Sequence, residues 1–279
     1  MNAHSIRSVN LKNLKIGGED SLQFRPLFCL EVAIYNLDEN FQIVKDFYKT
    51  TDRTKILELA QESDCDIIGL KFNIDDVDKV SDACRLLKEL LPKISKPLMI
   101  RGVNNDGIDS VLLPELVKVL DRVAIIAFAD ENTYKSIVPE TSKGGHILVL
   151  RSPIDINLAK ELNILSSDLG QPLDKILIDT DIGGLGYGLE YGYSIMEKVK
   201  LEGFNGDDYL NMPLISFVTE ESLKTKEAKS DTYSTSWGSL DERAKMFEVS
   251  SASAVVAAGA NVVVLNNPDS VRIMKGLFK

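Results

Sequence analysis

The sequence predicts a single α/β domain, a (β/α)8 TIM barrel with a short N-terminal extension. Short β-branched runs alternate with longer amphipathic segments along the chain, and eight such runs can be counted. The 279 residues also match the roughly 250 that a barrel of this kind occupies, which leaves no room for a second large domain.

The eight runs are Leu27–Tyr35, Asp66–Phe72, Pro97–Gly102, Val123–Phe128, His146–Leu150, Lys175–Asp179, Leu214–Phe217 and Asn261–Leu265. Each is almost continuously apolar, as a parallel strand covered on both faces must be. Between them lie helical patterns. Asp76–Leu91 places Val77, Val80, Ala83, Cys84, Leu87 and Leu91 on one stripe, and Asp109–Leu120, Ile156–Leu169, Tyr193–Glu202, Asp241–Ala258 and Asp269–Phe278 read the same way. A doubly wound open sheet shares this alternation, and periodicity does not separate the two. The first strand, however, is followed by no glycine-rich nucleotide turn. Residues 1–25 are read as an arm closing the bottom of the barrel, with Lys15-Ile16-Gly17-Gly18 suited to a hairpin, and residues 26–279 as the barrel. The longest stretch without a pattern runs from Ser216 to about Leu240, after the seventh strand, on the face where barrels carry function.

A formal net charge of −10 makes nucleic acid and anionic membranes poor partners. No apolar run approaches the ~20 residues that span a bilayer. The opening MNAHSIRSVNLKNLKIGG has neither the apolar core nor the small-residue cleavage site of a secretory signal, so a cytoplasmic protein is expected. Cys29, Cys65 and Cys84 form no C-x2-C pair and read as small buried hydrophobes, and no iron–sulfur cluster or metal site is expected in this chain.

In a barrel the C-terminal strand ends converge on one mouth. Those positions are Glu31, Lys71, Asn73, Arg101, Gly102, Asn104, Asp130, Ser152, Asp155, Asn157, Asp179, Thr180, Asp181, Ser216, Asn266 and Asn267. The mouth so read holds amides, hydroxyls, carboxylates and two cations, Lys71 and Arg101. The two histidines lie elsewhere: His4 in the arm, and His146 at the start of a strand. A Ser/His/Asp or Cys/His nucleophilic site is therefore not expected, and no catalytic residue is assigned. Asp179 and Asp181 have the spacing of a cation or acid–base pair. The favoured reading is plainer: one caps a helix and the other accepts from loop amides.

The run Asp181-Ile182-Gly183-Gly184-Leu185-Gly186-Tyr187-Gly188 joins a strand to a helix, but Leu189 stands where a dinucleotide fingerprint needs a third glycine. The glycines imply positive φ or a close approach to a flat ligand, a partner chain or the next loop. Tyr187, Tyr191 and Tyr193 beside them suit an interface or internal packing equally. Trp237, the single tryptophan, lies in a polar stretch and is read as a contact residue.

The segment from Asp181 to Ile215 resembles the signature of the small (delta) subunit of the corrinoid iron–sulfur protein. The resembling elements are Leu185 to Tyr191, Met196-Glu197-Lys198, Gly206-Asp207 and Met212-Pro213, with further matches at Arg25-Pro26 to Val32, Pro97 to Gly102, Ser152 to Asn163, Trp237-Gly238 and Ala258 to Pro268. Asp179-Thr180-Asp181-Ile182 departs from the D-P-T-T usual in that family. The resemblance implies a heterodimer in which a large subunit carries the iron–sulfur cluster and cobalamin, with the barrel mouth covering the corrinoid. It also implies transient contact with a methyltetrahydrofolate or methyltetrahydropterin methyltransferase and with acetyl-CoA synthase, in the Wood–Ljungdahl system. On that basis Lys71, Asn73, Arg101, Asn104, Asp155, Asn157, Asp181, Gly184, Gly186, Tyr187 and Gly188 are expected at the cofactor, and Tyr191 and Trp237 at the subunit interface. The alternatives are a stand-alone pterin-binding methyltransferase, suggested by Asp155-Ile156-Asn157, and a cation-dependent hydrolase or lyase using Asp179 and Asp181.

Overall fold

A computed structural model describes residues 5–19, 25–36 and 47–278. Eight parallel strands close into a barrel: β3 (Leu27–Ala33), β4 (Ile67–Lys71), β5 (Leu98–Arg101), β6 (Ile125–Ala129), β7 (Ile147–Arg151), β8 (Ile176–Asp179), β9 (Leu214–Phe217) and β10 (Ala260–Leu265). They follow one another around the barrel in chain order, β10 closing on β3. Every strand residue is buried, which is why the runs carry no alternation of polar and apolar positions. The ladder between β8 and β9 is the thinnest, with the single pairing Ile178↔Leu214.

The helices that lie wholly within the described residues are α1 (Arg53–Glu62), α2 (Val80–Leu90), α3 (Asp106–Val119), α4 (Tyr134–Lys143), α5 (Ile156–Asp168), α6 (Leu189–Phe204), α7 (Val218–Ser222), α8 (Lys226–Lys229), α9 (Leu240–Ala257) and α10 (Pro268–Gly276). Two have no counterpart among the sequence expectations. α1 buries only Ile56, Leu57 and Ala60, too thin a stripe to stand out. α4 contains Pro139, which reads in sequence as a helix breaker. The pattern-free stretch after the seventh strand holds α7, α8 and a 3-10 turn at Thr235–Trp237. These elements are too short to show a period.

Two apolar layers result. One lies between strands and helices and includes Leu30, Ile68, Leu70, Leu98, Ile100, Leu148 and Val263. The other fills the barrel and includes Cys29, Ile67, Met99, Ile125, Ile147, Leu177 and Val262. Ahead of the barrel, β1 (Ser8–Leu11) and β2 (Leu14–Gly17) form an antiparallel hairpin. Its Val9, Leu11 and Ile16 join the interior layer. Lys12 donates to the Ser95 carbonyl at 2.6 Å, and the Arg7 amide to Asn211 Oδ1 at 2.9 Å, both partners lying just before strands. The hairpin thus closes the N-terminal end of the barrel. Residues 1–4, 20–24, 37–46 and 279, with His4 among them, lie outside the described residues.

Candidate functional site

Inward-facing strand positions change character toward the C-terminal end. Two residues beyond Cys29, Gly69, Met99, Val149 and Leu177 come Glu31, Lys71, Arg101, Arg151 and Asp179. All five are buried, Arg101 at 2% exposure. Arg101 Nη1 donates to Glu31 at 3.0 Å, and its Nη2 to Glu220 of α7. Arg151 Nε donates to Asp179 Oδ2 at 2.6 Å. The two guanidinium groups pack on two phenyl rings that touch edge to face: Arg151 lies 3.6 Å from the Phe128 centroid, and Arg101 4.5 Å from that of Phe217.

This floor corrects two expectations. The mouth holds a third cation, Arg151, placed inward by the two-residue period through Ile147 and Val149. Of the pair Asp179 and Asp181, neither caps a helix, though both accept loop amides: Asp179 pairs with Arg151 and accepts the Asp181 amide at 3.0 Å, and Asp181 accepts that of Ile182. Burial dominates its titration and, against the pull of Arg151, pushes the carboxyl up to about 6. At Glu220, burial acts in the same direction but is outweighed by Arg101, Arg151 and Lys71, which hold the carboxyl down at about 2. Arg101 Nε, Arg151 Nη2 and the hydroxyls of Ser152 and Ser216 are buried without a hydrogen-bond partner.

Beside the floor a cleft of about 260 Å³ is lined by Asn104, Asp130, Glu131, Asn132, Arg151, Pro153, Leu158 and Asp181. Asn104 takes φ +66°, in a loop shaped by the buried Asp109 carboxylate, which accepts the amides of Val103, Asn104 and Asn105. Asp130 accepts from the Asn132 and Thr133 amides at the start of its turn. Asp181 takes φ +54° and accepts the Ile182 amide.

Several candidates lie apart from this group. Asn73 exchanges amide-to-carbonyl hydrogen bonds with Asn36. Asp155 is the N-cap of α5, accepting the Asn157 and Leu158 amides, and Asn157 is exposed one position into the helix. The Asp-x-Asn spacing is therefore that of a cap. Thr180 is buried beside Asp181. The Asn266 amide donates to Thr219 and Glu248, and Asn267 caps α10.

The glycine turn answers two of its open possibilities. At Gly184 a Cβ would come within 2.7 Å of Thr225 Cγ2 and 3.0 Å of the Glu221 carbonyl, so the close approach is to the neighbouring loop. Gly186, at φ +80°, has nothing within 4 Å of a Cβ position and is required by conformation alone. Gly188, also at positive φ, is the N-cap of α6. Around this turn stands an aromatic rim: Tyr187 is 53% exposed, Tyr191 62% and Trp237 57%. Tyr187 Oη donates to Glu227 at 3.4 Å, and Tyr233 stacks obliquely on Trp237 at 5.4 Å.

Among the described residues no group of three His, Cys, Asp or Glu side chains is arranged to hold a metal ion, and no helix is long and apolar enough to cross a membrane.

Solved structures show the same fold at low identity. The dihydropteroate synthase of Xanthomonas albilineans aligns with a TM-score of 0.65 at 12% identity over 98% of both chains. That of Vibrio fischeri gives 0.64 at 12% over 97% of both. Sequence relatives are nearer. The acetyl-CoA decarbonylase/synthase complex subunit delta of Methanosarcina mazei is 29% identical over 291 residues, 95% of this chain and 65% of the relative. Its counterpart in Methanocaldococcus jannaschii is 28% identical over 200 residues, 71% of this chain and 49% of the relative. The chain thus spans about half to two thirds of the length of these relatives. The family model for the CO dehydrogenase/acetyl-CoA synthase delta subunit matches residues 9–277. With nearly every residue from the hairpin to the last helix inside that match, the chain belongs to the CO dehydrogenase/acetyl-CoA synthase delta subunit family.

Proposed function

We propose that this chain serves as a delta subunit whose barrel mouth covers a cobalamin held by a larger, cluster-bearing corrinoid subunit. Its role is to shield and orient that cofactor while methyl groups pass between a pterin-dependent methyltransferase and acetyl-CoA synthase. The observation that carries this reading is the rim: Tyr187, Tyr191 and Trp237 stand more than half exposed around the mouth of a barrel whose interior is otherwise filled. Exposed aromatics grouped on one face are typical anchors of a protein interface.

Fit to the cofactor rests on the donors and acceptors beside that rim. Asn104, Asp130 and Asp181 line the cleft, and Arg151 Nη2 is a buried donor without an acceptor. These groups suit a ligand bearing neutral amides at its edge, as a corrinoid does. When bound, the corrinoid supplies the cobalt that takes up and gives away the methyl group. The chain's own contribution is to exclude water and to hold the ring edge by hydrogen bonds.

Co-purification with the corrinoid-bearing subunit tests the pairing. Trp237→Ala should weaken the complex by about 2 kcal/mol, or roughly thirtyfold, in titration calorimetry. Robust methyl transfer from methyltetrahydrofolate to free cobalamin by the chain alone, lost in Asn157→Ala, would instead establish a self-sufficient methyltransferase.

A further inference from the structure

One carboxylate of the charged floor reaches it from outside the barrel wall. Lys71, Arg101 and Arg151 bring three positive charges on strands, and Glu31 and Asp179 bring two negative charges on strands. The third negative charge is Glu220, on the five-residue α7 that follows β9. Its side chain is 14% exposed where that of Arg101 is 2%, so it covers the arginine from the solvent side. It bonds Arg101 through Oε2; Lys71 stands opposite Arg101 in the β4–β5 ladder, and Arg151 shares the Phe217 ring with Arg101.

Glu220 leaves the cluster short of acceptors. Arg101 Nε and Arg151 Nη2 are buried without partners, although both guanidinium groups lie over the same Phe217 ring, at 4.5 and 5.2 Å from its centroid. Guanidinium forks match the oxygens of carboxylates and phosphates, and a low-dielectric floor strengthens each such bond. An anion with more oxygens than a single carboxylate can meet more of these donors.

We propose that Lys71, Arg101 and Arg151 form an oxyanion-binding site in the floor of the mouth. The Glu220 carboxylate is its internal occupant, and an incoming carboxylate or phosphate replaces it when α7 withdraws. The site shares Arg151 with the corrinoid reading, but it is tested on this chain alone with inorganic phosphate, so its failure is distinguishable from a failure of the partner reading. It accepts the anionic group of a ligand entering the mouth, with phosphate preferred to carboxylate because it supplies more acceptors. In the resting chain the tethered Glu220 competes at high effective concentration, so the site is masked.

Calorimetric titration of the full chain with inorganic phosphate, and separately with acetate, tests this. Glu220→Gln should bind one phosphate at least about tenfold more tightly than the wild type, since the internal competitor has been neutralised. Acetate should compete for the same site more weakly, and acetate binding the tighter of the two would overturn the preference. The neighbouring Glu221→Gln, whose carboxylate pairs with Lys224, should behave as wild type. Adding Arg151→Lys to Glu220→Gln should abolish the gain. Should Glu220→Gln fail to fold, Glu220→Asp keeps the charge on a shorter arm and should still bind phosphate more tightly than wild type. Equal affinity, or no binding, in wild type and in whichever variant folds would overturn the site and leave Glu220 as a fixed ion-pair partner.

Discussion

At its N-terminal end the barrel interior is closed by Val9, Leu11 and Ile16 of the hairpin packed with Ile67, Ile125, Ile147 and Val262. At its C-terminal end the same strands present Glu31, Lys71, Arg101, Arg151 and Asp179, also buried, with the guanidinium groups packed on Phe128 and Phe217. Both ends exclude water by different physics. The apolar end is stabilised in proportion to area, without regard to direction, at roughly 1.5–3 kcal/mol for each fully buried aliphatic side chain. The charged end depends on pairing, because each ion has lost its hydration and must recover the loss from a partner at hydrogen-bonding distance. A plug needs only shape, whereas a mouth of paired charges can be opened by a ligand that offers the same charges better geometry.

The largest effect should come from breaking one pair. Arg101→Met leaves Glu31 buried, and Glu220 half-buried, without their hydrogen-bonded cation and should cost about 3–5 kcal/mol in denaturant unfolding, much of it recovered when both glutamates are also changed to Gln. Next comes the plug, where Leu11→Ala should cost about 2–4 kcal/mol through lost burial and a cavity at the N-terminal end of the barrel. If the order were reversed, the charged end would be the weaker determinant of stability.

The third prediction separates two carboxylates within the charged end. Asp179 binds its proton more tightly folded than unfolded, its pKa rising from the usual ~3.9 to about 6, so its contribution to stability falls as pH rises from ~4 to ~6. Glu220, held at about 2, has the opposite sign. Its contribution is present above the usual ~4.3 and is lost as pH falls toward 2. Urea unfolding against pH should therefore show a flatter slope between pH 4 and 6 in Asp179→Asn, and between pH 4 and 2 in Glu220→Gln. An unchanged slope in Asp179→Asn would mean that the Arg151 ion pair fully offsets burial. The smallest effect belongs to the rim, where Trp237→Ala should leave stability within about 0.5 kcal/mol of wild type, its cost appearing only in partner binding.

Much of this architecture is legible in the order of residues. A strand buried on both faces must be continuously apolar, so all eight barrel strands stand within two residues of their expected bounds, and Leu214–Phe217 matches at both ends. The segment from Asp181 to Ile215 carries the family. Positive φ at Gly186 follows from a turn that no side chain fills. α1, α4, α7 and α8 escape because few of their residues face the core, or because a proline or a short length hides the period.

What the sequence by itself determined is each strand's direction and spacing, and hence which side chains approach the mouth. Which charges meet there was decided by tertiary structure. Arg101 joins Glu31, 70 positions away, and Glu220, 119 positions away. Asp179 finds Arg151 across neighbouring strands, 28 positions apart. Local chain physics sets φ, ψ and periodicity over a few residues, whereas ion pairing is selected only when barrel closure removes water and brings distant strand ends within hydrogen-bonding reach.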